Sequence, residues 1–324
     1  MNKSEPVSVS SESTWVHQFK HYLELIRFSH TIFALPFAML ATVWALLVPS
    51  FVIGNETAEM SIPVRWQALV GIVLCMITAR SFAMAMNRLL DQKWDGQNPR
   101  TAGRHLPAKL LSSSSVTGFS VACGLAFVAS CLLFLPNVLP IALSVPVLAF
   151  LAMYSLAKRF TYLVHFWLGV ALMLAPICAW IALRGEWVLA RPSDLLPAVF
   201  LGSVVLFWVA GFDMIYACQD AEFDRESKLF SIPALFGVRG ALRIAAACHA
   251  IMWIIALSMT FLLPELSLGW AFRGMLGIIA VLLVIEHRVV SEHSLAKIQL
   301  AFFQLNSIIS VLFLVVGSVD AFWK

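Results

Sequence analysis

Long apolar runs alternate with short polar connectors along most of the chain. Nine runs stand out, at about 30–53, 67–90, 116–135, 138–157, 163–183, 195–217, 241–263, 270–285 and 298–319. Each is near the length an α-helix needs to cross a ~30 Å hydrocarbon core. Proline-led turns at Pro136-Asn137 and Pro264-Glu265 join two pairs of runs, Lys158-Arg159 interrupts between the fourth and fifth, and polar connectors separate the rest, at 54–65, 96–115, 184–194, 221–237 and 286–297. The pattern predicts an all-α membrane protein: nine transmembrane helices in one bundle around a cytoplasm-facing cavity. Residues 20–324 form that domain, opened by an amphipathic lead-in at 20–27. Residues 1–19 are expected to be a disordered cytoplasmic tail. The tail's start is polar and serine-rich, without the basic-then-apolar order of a signal peptide.

Composition narrows the class. Apolar residues make up 60% of the chain and charged ones 12%, with a mean hydropathy of +0.87. Soluble domains carry roughly a quarter charged residues, so lipid is the expected solvent. A membrane barrel would show short alternating strands instead. The net charge of +4 does not argue for nucleic acid, because the basic residues fall mostly between spans. Connectors after even-numbered spans, with their edges, carry Lys93, Arg100, Arg104, Lys109, Lys158, Arg159, Arg225, Lys228, Arg239, Arg243, Arg288 and Lys297. The opposite side carries Arg65, Arg184, Arg191 and Arg273. The positive-inside rule then puts the N-terminus on the cytoplasmic side of an inner membrane. The six cysteines have no C-x-x-C spacing and read as small buried apolar residues.

Charge is scarce, yet acid is concentrated. Four of the seven aspartates form two pairs, Asp91/Asp95 and Asp220/Asp224, each at the end of an apolar run. Both pairs have i, i+4 spacing, which sets carboxylates on one helical face about one turn apart. Asn87 and Tyr216 extend the two faces, so the halves align as a weak internal repeat, and both fall on the predicted cytoplasmic side. Asp213 lies two turns before Asp220. Carboxylates facing one cavity repel one another by several kcal/mol at intermediate dielectric, so a cation is expected among them. Oxygen ligands with retained water suit Mg²⁺ bridging acid to phosphate. The basic residues Arg88, Lys93, Lys158 and Arg159 would hold the remaining phosphate oxygens.

The run Asn87-Arg88-x-x-Asp91-x-x-x-Asp95, continued by Asn98-Pro99-Arg100-Thr101-Ala102-x-Arg104-x-Leu106-Pro107, resembles the first signature of UbiA-type membrane prenyltransferases. Asp213-x-x-Tyr216-Ala217-x-x-Asp220-x-x-x-Asp224 resembles the second, and Tyr154-Ser155-x-x-Lys158-Arg159 a third shared element. The likeness extends over about residues 22–319. Arg88 departs from the acid that many members carry there.

The resemblance implies transfer of a polyprenyl group from an allylic diphosphate, with Mg²⁺, to an aromatic acceptor. It implies that Asn87, Asp91, Asp95, Asp220 and Asp224 hold metal and diphosphate, the four aspartates being catalytic. Tyr216 and Asp213 line the substrate site, Asp213 either assisting the acceptor or ordering Tyr216. Arg88 is either a positive arm for diphosphate or an outward-facing residue. Lys158 and Arg159 read equally as a topogenic pair, and the resemblance assigns them to substrate. Tyr154 lines the acceptor pocket or marks the interface. Arg80, inside the second span, is expected to face the cavity and an acceptor carboxylate. Arg27 contacts substrate or reaches to the headgroups. His165 and Asn306 are expected to bond neighbouring helices, and Glu222 to be solvated.

The whole-chain likeness is to the branch acting on 4-hydroxybenzoate in ubiquinone synthesis. Arg100 to Pro107, Ser231-Ile232-Pro233 and residues 301–306 also resemble a sibling branch that prenylates a hydroxynaphthoate-type acceptor for menaquinone. An ion-coupled transporter is the non-enzyme alternative, but it would place its acids at mid-span. CDP-alcohol phosphotransferases need a glycine-bearing aspartate run that the chain lacks.

Overall fold

A computed structural model of the chain describes residues 21–26, 33–52, 55–60, 62–290 and 301–323. The expected tail, Arg27 and His30 lie outside the described residues. Ten helices are described: α1 Leu35–Leu47, α2 Trp66–Gln97, α3 Ser113–Cys131, α4 Leu139–Ala157, α5 Val164–Ala190, α6 Leu196–Ala217, α7 Ala221–Glu226, α8 Ile232–Leu262, α9 Trp270–Val289 and α10 Asn306–Phe322. With their short 3₁₀ or π extensions, eight segments are long and apolar enough to span a membrane.

The expected first span is the exception. Its described helix, α1, has 13 residues, about 20 Å of rise against ~30 Å of hydrocarbon. It ends because Val48 precedes Pro49 and is driven to an extended conformation. A two-stranded antiparallel hairpin follows, β1 Ser50–Val52 and β2 Asn55–Met60, where a longer helix and a loop are predicted. Its register pairs Ser50 with Met60 and Phe51 with Glu59. Short α1 sits at the centre of the bundle. Phe37, Leu40, Ala41 and Trp44 are fully buried, which suits a helix apolar on every face.

α6 is the other central element. Leu201, Val204, Val205, Trp208 and Val209 are fully buried along it. Gly169 lets α5 lie close against it: a Cβ there would meet the Leu206 carbonyl oxygen at 2.5 Å. Small residues at such crossings are the usual device of membrane helix packing.

Other connectors also differ from expectation. The segment 184–194, predicted as a loop, is the continuation of α5 to Ala190 and a 3₁₀ turn, Pro192–Leu195. α5 kinks at Arg184 (φ −120°, ψ 22°). Another is 221–237, where α7 covers Ala221–Glu226. α8 starts within it at Ile232, capped by Ser231 Oγ, which accepts from Ala234 N–H at 3.3 Å. Pro233 sits in its first turn. Gly237, at φ +69°, breaks that helix before the apolar run begins; only glycine adopts this geometry cheaply. The serine run 112–115 is likewise a helix start, with Ser112 capping α3.

α2 has 32 residues, about 48 Å. It is longer than the bilayer core is thick, and its last turns carry Asn87, Asp91 and Asp95. The far ends of the bundle hold a different polar centre. Arg184 is fully buried. Its Nη1 donates to the carbonyls of Ala45 (3.0 Å) and Val48 (2.9 Å), its Nε to Asp194 Oδ2 (2.9 Å) and its Nη2 to Asp194 Oδ1 (2.5 Å). One side chain thus satisfies the carbonyls that α1 leaves open at its end.

Candidate active site

The described carboxylates of the two motifs gather at one end of the bundle, and a basic side chain holds each. Arg104 Nη1 donates to both oxygens of Asp95, at 2.7 and 2.9 Å. Arg100 forks onto Asp220, with Nε 2.8 Å from Oδ1 and Nη2 on Oδ2. Asn98 Nδ2 adds a third bond to Asp220, at 2.9 Å. Lys158 Nζ lies 3.0 and 3.3 Å from the oxygens of Asp224. Asp91 is held more loosely: Asn87 Nδ2 donates to Oδ2 at 2.7 Å, and Arg159 Nη2 stands 3.8 Å from Oδ1. Its side chain is 25% exposed, against 9%, 10% and 2% for Asp95, Asp220 and Asp224. Asp91 is therefore the carboxylate most open to a new ligand.

The pairing has a topological origin. The loop that follows α2 folds back across its end and supplies Asn98, Arg100 and Arg104. The hydroxyl of Thr101 fastens it by donating to the Asp95 carbonyl at 3.0 Å. Lys158 and Arg159 follow α4 immediately, so that helix delivers them to the same place. Burial works against the charge of Arg100, but the Asp220 carboxylate and Tyr216 outweigh it and raise its pKa. Burial likewise opposes the charge of Lys158, and Asp224 overcomes it, so the ammonium stays charged.

The two motifs are not equivalent in backbone. Asp91 and Asp95 sit on the continuous helix α2, as the i, i+4 reading expects. The second motif straddles a break: α6 ends at Ala217, a 3₁₀ turn covers Cys218–Asp220, and α7 restarts at Ala221. Asp220 is the residue before that restart, with φ −107° and ψ 5°. Among the described residues, no three motif carboxylates lie within 4.8 Å of one another. The site is two facing acid sets, not one closed cage.

A cavity of about 340 Å³ leads inward from this mouth. Arg80, Asn87, Arg88, Tyr154, Asp213 and Tyr216 form its polar end. Ile72, Phe127, Phe134, Val147, Leu172 and Ala175 are among the residues of its apolar remainder. Arg88 is 5% exposed, lines the cavity and donates to Asn87 Oδ1 at 3.2 Å, so it faces inward and the outward-facing reading does not hold. Arg80 lines the cavity two turns deeper, as expected. Tyr216 Oη accepts from Arg100 at 3.1 Å. Three of the six free cysteines, Cys75, Cys131 and Cys178, also line the cavity.

Asp213 has a partner. The buried ring of His165 accepts from the Ile232 N–H at Nε2 (3.3 Å), so Nδ1 carries the proton and donates to Asp213 Oδ2 (2.7 Å). The start of α8 thereby fixes the tautomer of His165. Asn306 also bonds its neighbours as expected, to Trp208 Nε1 (2.7 Å) and Glu286 Oε1 (2.9 Å). Glu222 is exposed. The sequence reading assigns no site role to Asn98, Arg100 or Arg104, which hold Asp220 and Asp95. Their signal was available, since all three stand in the run that continues the first motif.

The UbiA prenyltransferase family profile matches residues 46–308. The chain belongs to the UbiA prenyltransferase family. A 4-hydroxybenzoate octaprenyltransferase from Vibrio campbellii is 29% identical over 308 residues, covering 94% of this chain and 98% of that one. An apo UbiA homologue from Aeropyrum pernix K1 superposes with a TM-score of 0.75 at 27% identity, over 90% of this chain and 97% of its own. A UbiA homologue from Archaeoglobus fulgidus, bound to DMAPP and Mg²⁺, matches with a TM-score of 0.60 at 17% identity, over 94% of this chain and 99% of its own. The protein is thus a multi-pass membrane prenyltransferase, with the fold of solved UbiA homologues.

Proposed function

We propose that this UbiA protein transfers a polyprenyl group from an allylic diphosphate to a hydroxyaryl carboxylate, 4-hydroxybenzoate in the first instance. The reaction takes place with Mg²⁺ at the cytoplasmic face of an inner membrane. The observation that carries the reading is the cavity: a largely apolar chamber whose polar end brings Asn87 of the first motif and Tyr216 of the second together with Arg80, Tyr154 and Asp213. A polyprenyl chain needs the first part and its diphosphate the second. Names of relatives such as the Vibrio campbellii protein support the acceptor, and the excess of basic connectors on the motif side supports the orientation.

The donor set fits magnesium. Carboxylate and amide oxygens are its ligands, and Mg²⁺ is commonly held by one or two carboxylates while substrate phosphates complete the shell. Asn87 and Asp91 on one side, with Asp220 and Asp224 on the other, would hold the ions, and Asp95 supports the first set. When bound, magnesium draws charge from the leaving diphosphate and so assists its departure. Arg100, Arg104, Lys158 and Arg159 neutralise the carboxylates in its absence. They can turn to diphosphate oxygens when the ions arrive. Such exchange keeps the local charge near balance in both states, which a site of carboxylates alone would not.

The apolar walls keep water from the allylic cation. Arg80 orients the acceptor by its carboxylate, with Tyr154 and Tyr216 flanking the ring. Asp213, positioned by its hydrogen bond to His165, receives the proton the ring loses. His165 cannot pass that proton on through Nε2 while Ile232 donates to it, so the proton leaves from Asp213 toward the mouth.

Membranes containing the protein should prenylate 4-hydroxybenzoate only with Mg²⁺ supplied. Competition with hydroxynaphthoates, read by product mass, tests the acceptor. Exclusive use of the naphthoate would transfer the assignment to the menaquinone branch. No aromatic product from either acceptor would overturn it.

A further inference from the structure

We propose that His21, Glu24 and His105 form a second metal site, for a divalent transition-metal ion of zinc type, which fastens the N-terminal helical turn to the loop carrying Arg100 and Arg104. The site lies outside the carboxylate motifs and does not rest on the prenyl-transfer reading.

His21 and Glu24 stand i, i+3 on the helical turn 21–25 and share its face. His105 comes from the loop after α2. The donor atoms of the three residues all lie within 4.8 Å of one another. Both imidazoles address the same carboxylate oxygen: Glu24 Oε2 is 3.8 Å from His21 Nδ1 and 3.4 Å from His105 Nε2. The His105 contact is a long hydrogen bond and the His21 contact lies beyond hydrogen-bond reach. Both spacings are close to the roughly 3.3–3.5 Å that separates two ligands of a tetrahedral ion with bonds of about 2.0–2.1 Å. The two rings meet edge to face at 75°, with centroids 5.5 Å apart, which avoids stacking and leaves room between them.

The three residues are brought together by packing that does not depend on them. Leu25 and Ile26 are buried against Ala85, Leu106, Leu111 and Val116. The Tyr22 hydroxyl bonds Ser115 Oγ, and the Tyr22 ring lies 4.8 Å from that of Phe119. The His105 carbonyl accepts from Leu110 N–H at 2.9 Å. Turn and loop are thus docked before any ion arrives, which lowers the ordering cost of binding.

The ligand chemistry separates this site from magnesium. Two imidazoles and one carboxylate are a zinc set, with a fourth position left to water. Magnesium prefers oxygen throughout. Glu24 is 49% exposed on its side chain, so solvent reaches the open position. An ion here would brace His105, the residue next to Arg104, and so the loop that holds Asp95 and Asp220.

The test uses the purified full chain in detergent with excess Mg²⁺ throughout. Zinc is titrated against a chromophoric chelator, and Co²⁺ is followed by its visible d–d absorption. The expected result is one equivalent bound, with a rise in unfolding temperature. Glu24→Gln, at a half-exposed position, should weaken binding by about 100-fold, and His105→Asn by as much. The same affinity in wild type and Glu24→Gln overturns the proposal. So does the lack of a stoichiometric equivalent in the wild-type protein. If His105→Asn fails to fold, the Glu24→Gln comparison decides alone.

Discussion

Two ends of this molecule use the same chemistry, arginine on aspartate, for opposite purposes. At one end Arg184 and Asp194 are locked together, with the guanidinium fully buried and its remaining donors spent on the carbonyls of α1. At the other, Arg100 and Arg104 hold Asp220 and Asp95 while keeping 26% and 21% of their side chains exposed, beside an open cavity. The first pair has nowhere else to go. The second has solvent on one side and a chamber on the other, so its members can change partners. Ion pairs at a membrane protein's polar ends therefore divide by what a partner could do if released, not by how short the contact is.

The largest expected effect is at the locked end. Arg184→Ala leaves Asp194 buried without its cation and opens the end of α1. The loss should be about 3–5 kcal/mol, read as a lower unfolding temperature in detergent, while the protein that remains folded keeps its turnover. A variant as stable as wild type would erase the contrast drawn above. Next, Asp91→Ala or Asp220→Ala should lower turnover by about 10²–10³-fold or more and leave the unfolding temperature within a few degrees. A collapse in stability with proportionate loss of activity would make these aspartates structural as well. Smaller again is Arg100→Lys. The charge persists but the fork onto Asp220 is lost, so KM for the prenyl diphosphate should rise about 10-fold, with kcat changing less. The smallest is His165→Asn, which keeps a donor for Asp213 but not the tautomer lock. A few-fold fall in kcat with KM for the diphosphate unchanged is expected; the reverse pattern would make the residue part of diphosphate binding.

Much of this was readable from the residues in order. The apolar runs located the spanning helices, and the aspartate spacing located the first motif on α2, because both are local patterns with helical period. What escaped has a common physical cause. Pro49 shortens α1 through its effect on the preceding residue, while the apolar run goes on past it into the hairpin. Arg184 reads as a connector charge, since nothing local announces that the carbonyls of α1 will meet it. The partners of the four aspartates depend on where the loop after α2 returns, which is a tertiary fact. The second motif differs from the first in backbone: identical spacing does not reveal that the chain turns to 3₁₀ over Cys218–Asp220.

That break gives the two motifs unequal mechanical characters. On α2, a residue inserted between Asn87 and Asp91 would rotate everything beyond it by about 100°, carrying Asp91 off its face. Between Ala217 and Ala221 the chain already leaves the helical path, so an added residue there can be taken up locally before α7 resumes. The first motif is a fixed ruler and the second an adjustable jaw. Swapping helical segments between relatives should therefore tolerate shifts in length at the second motif and none at the first.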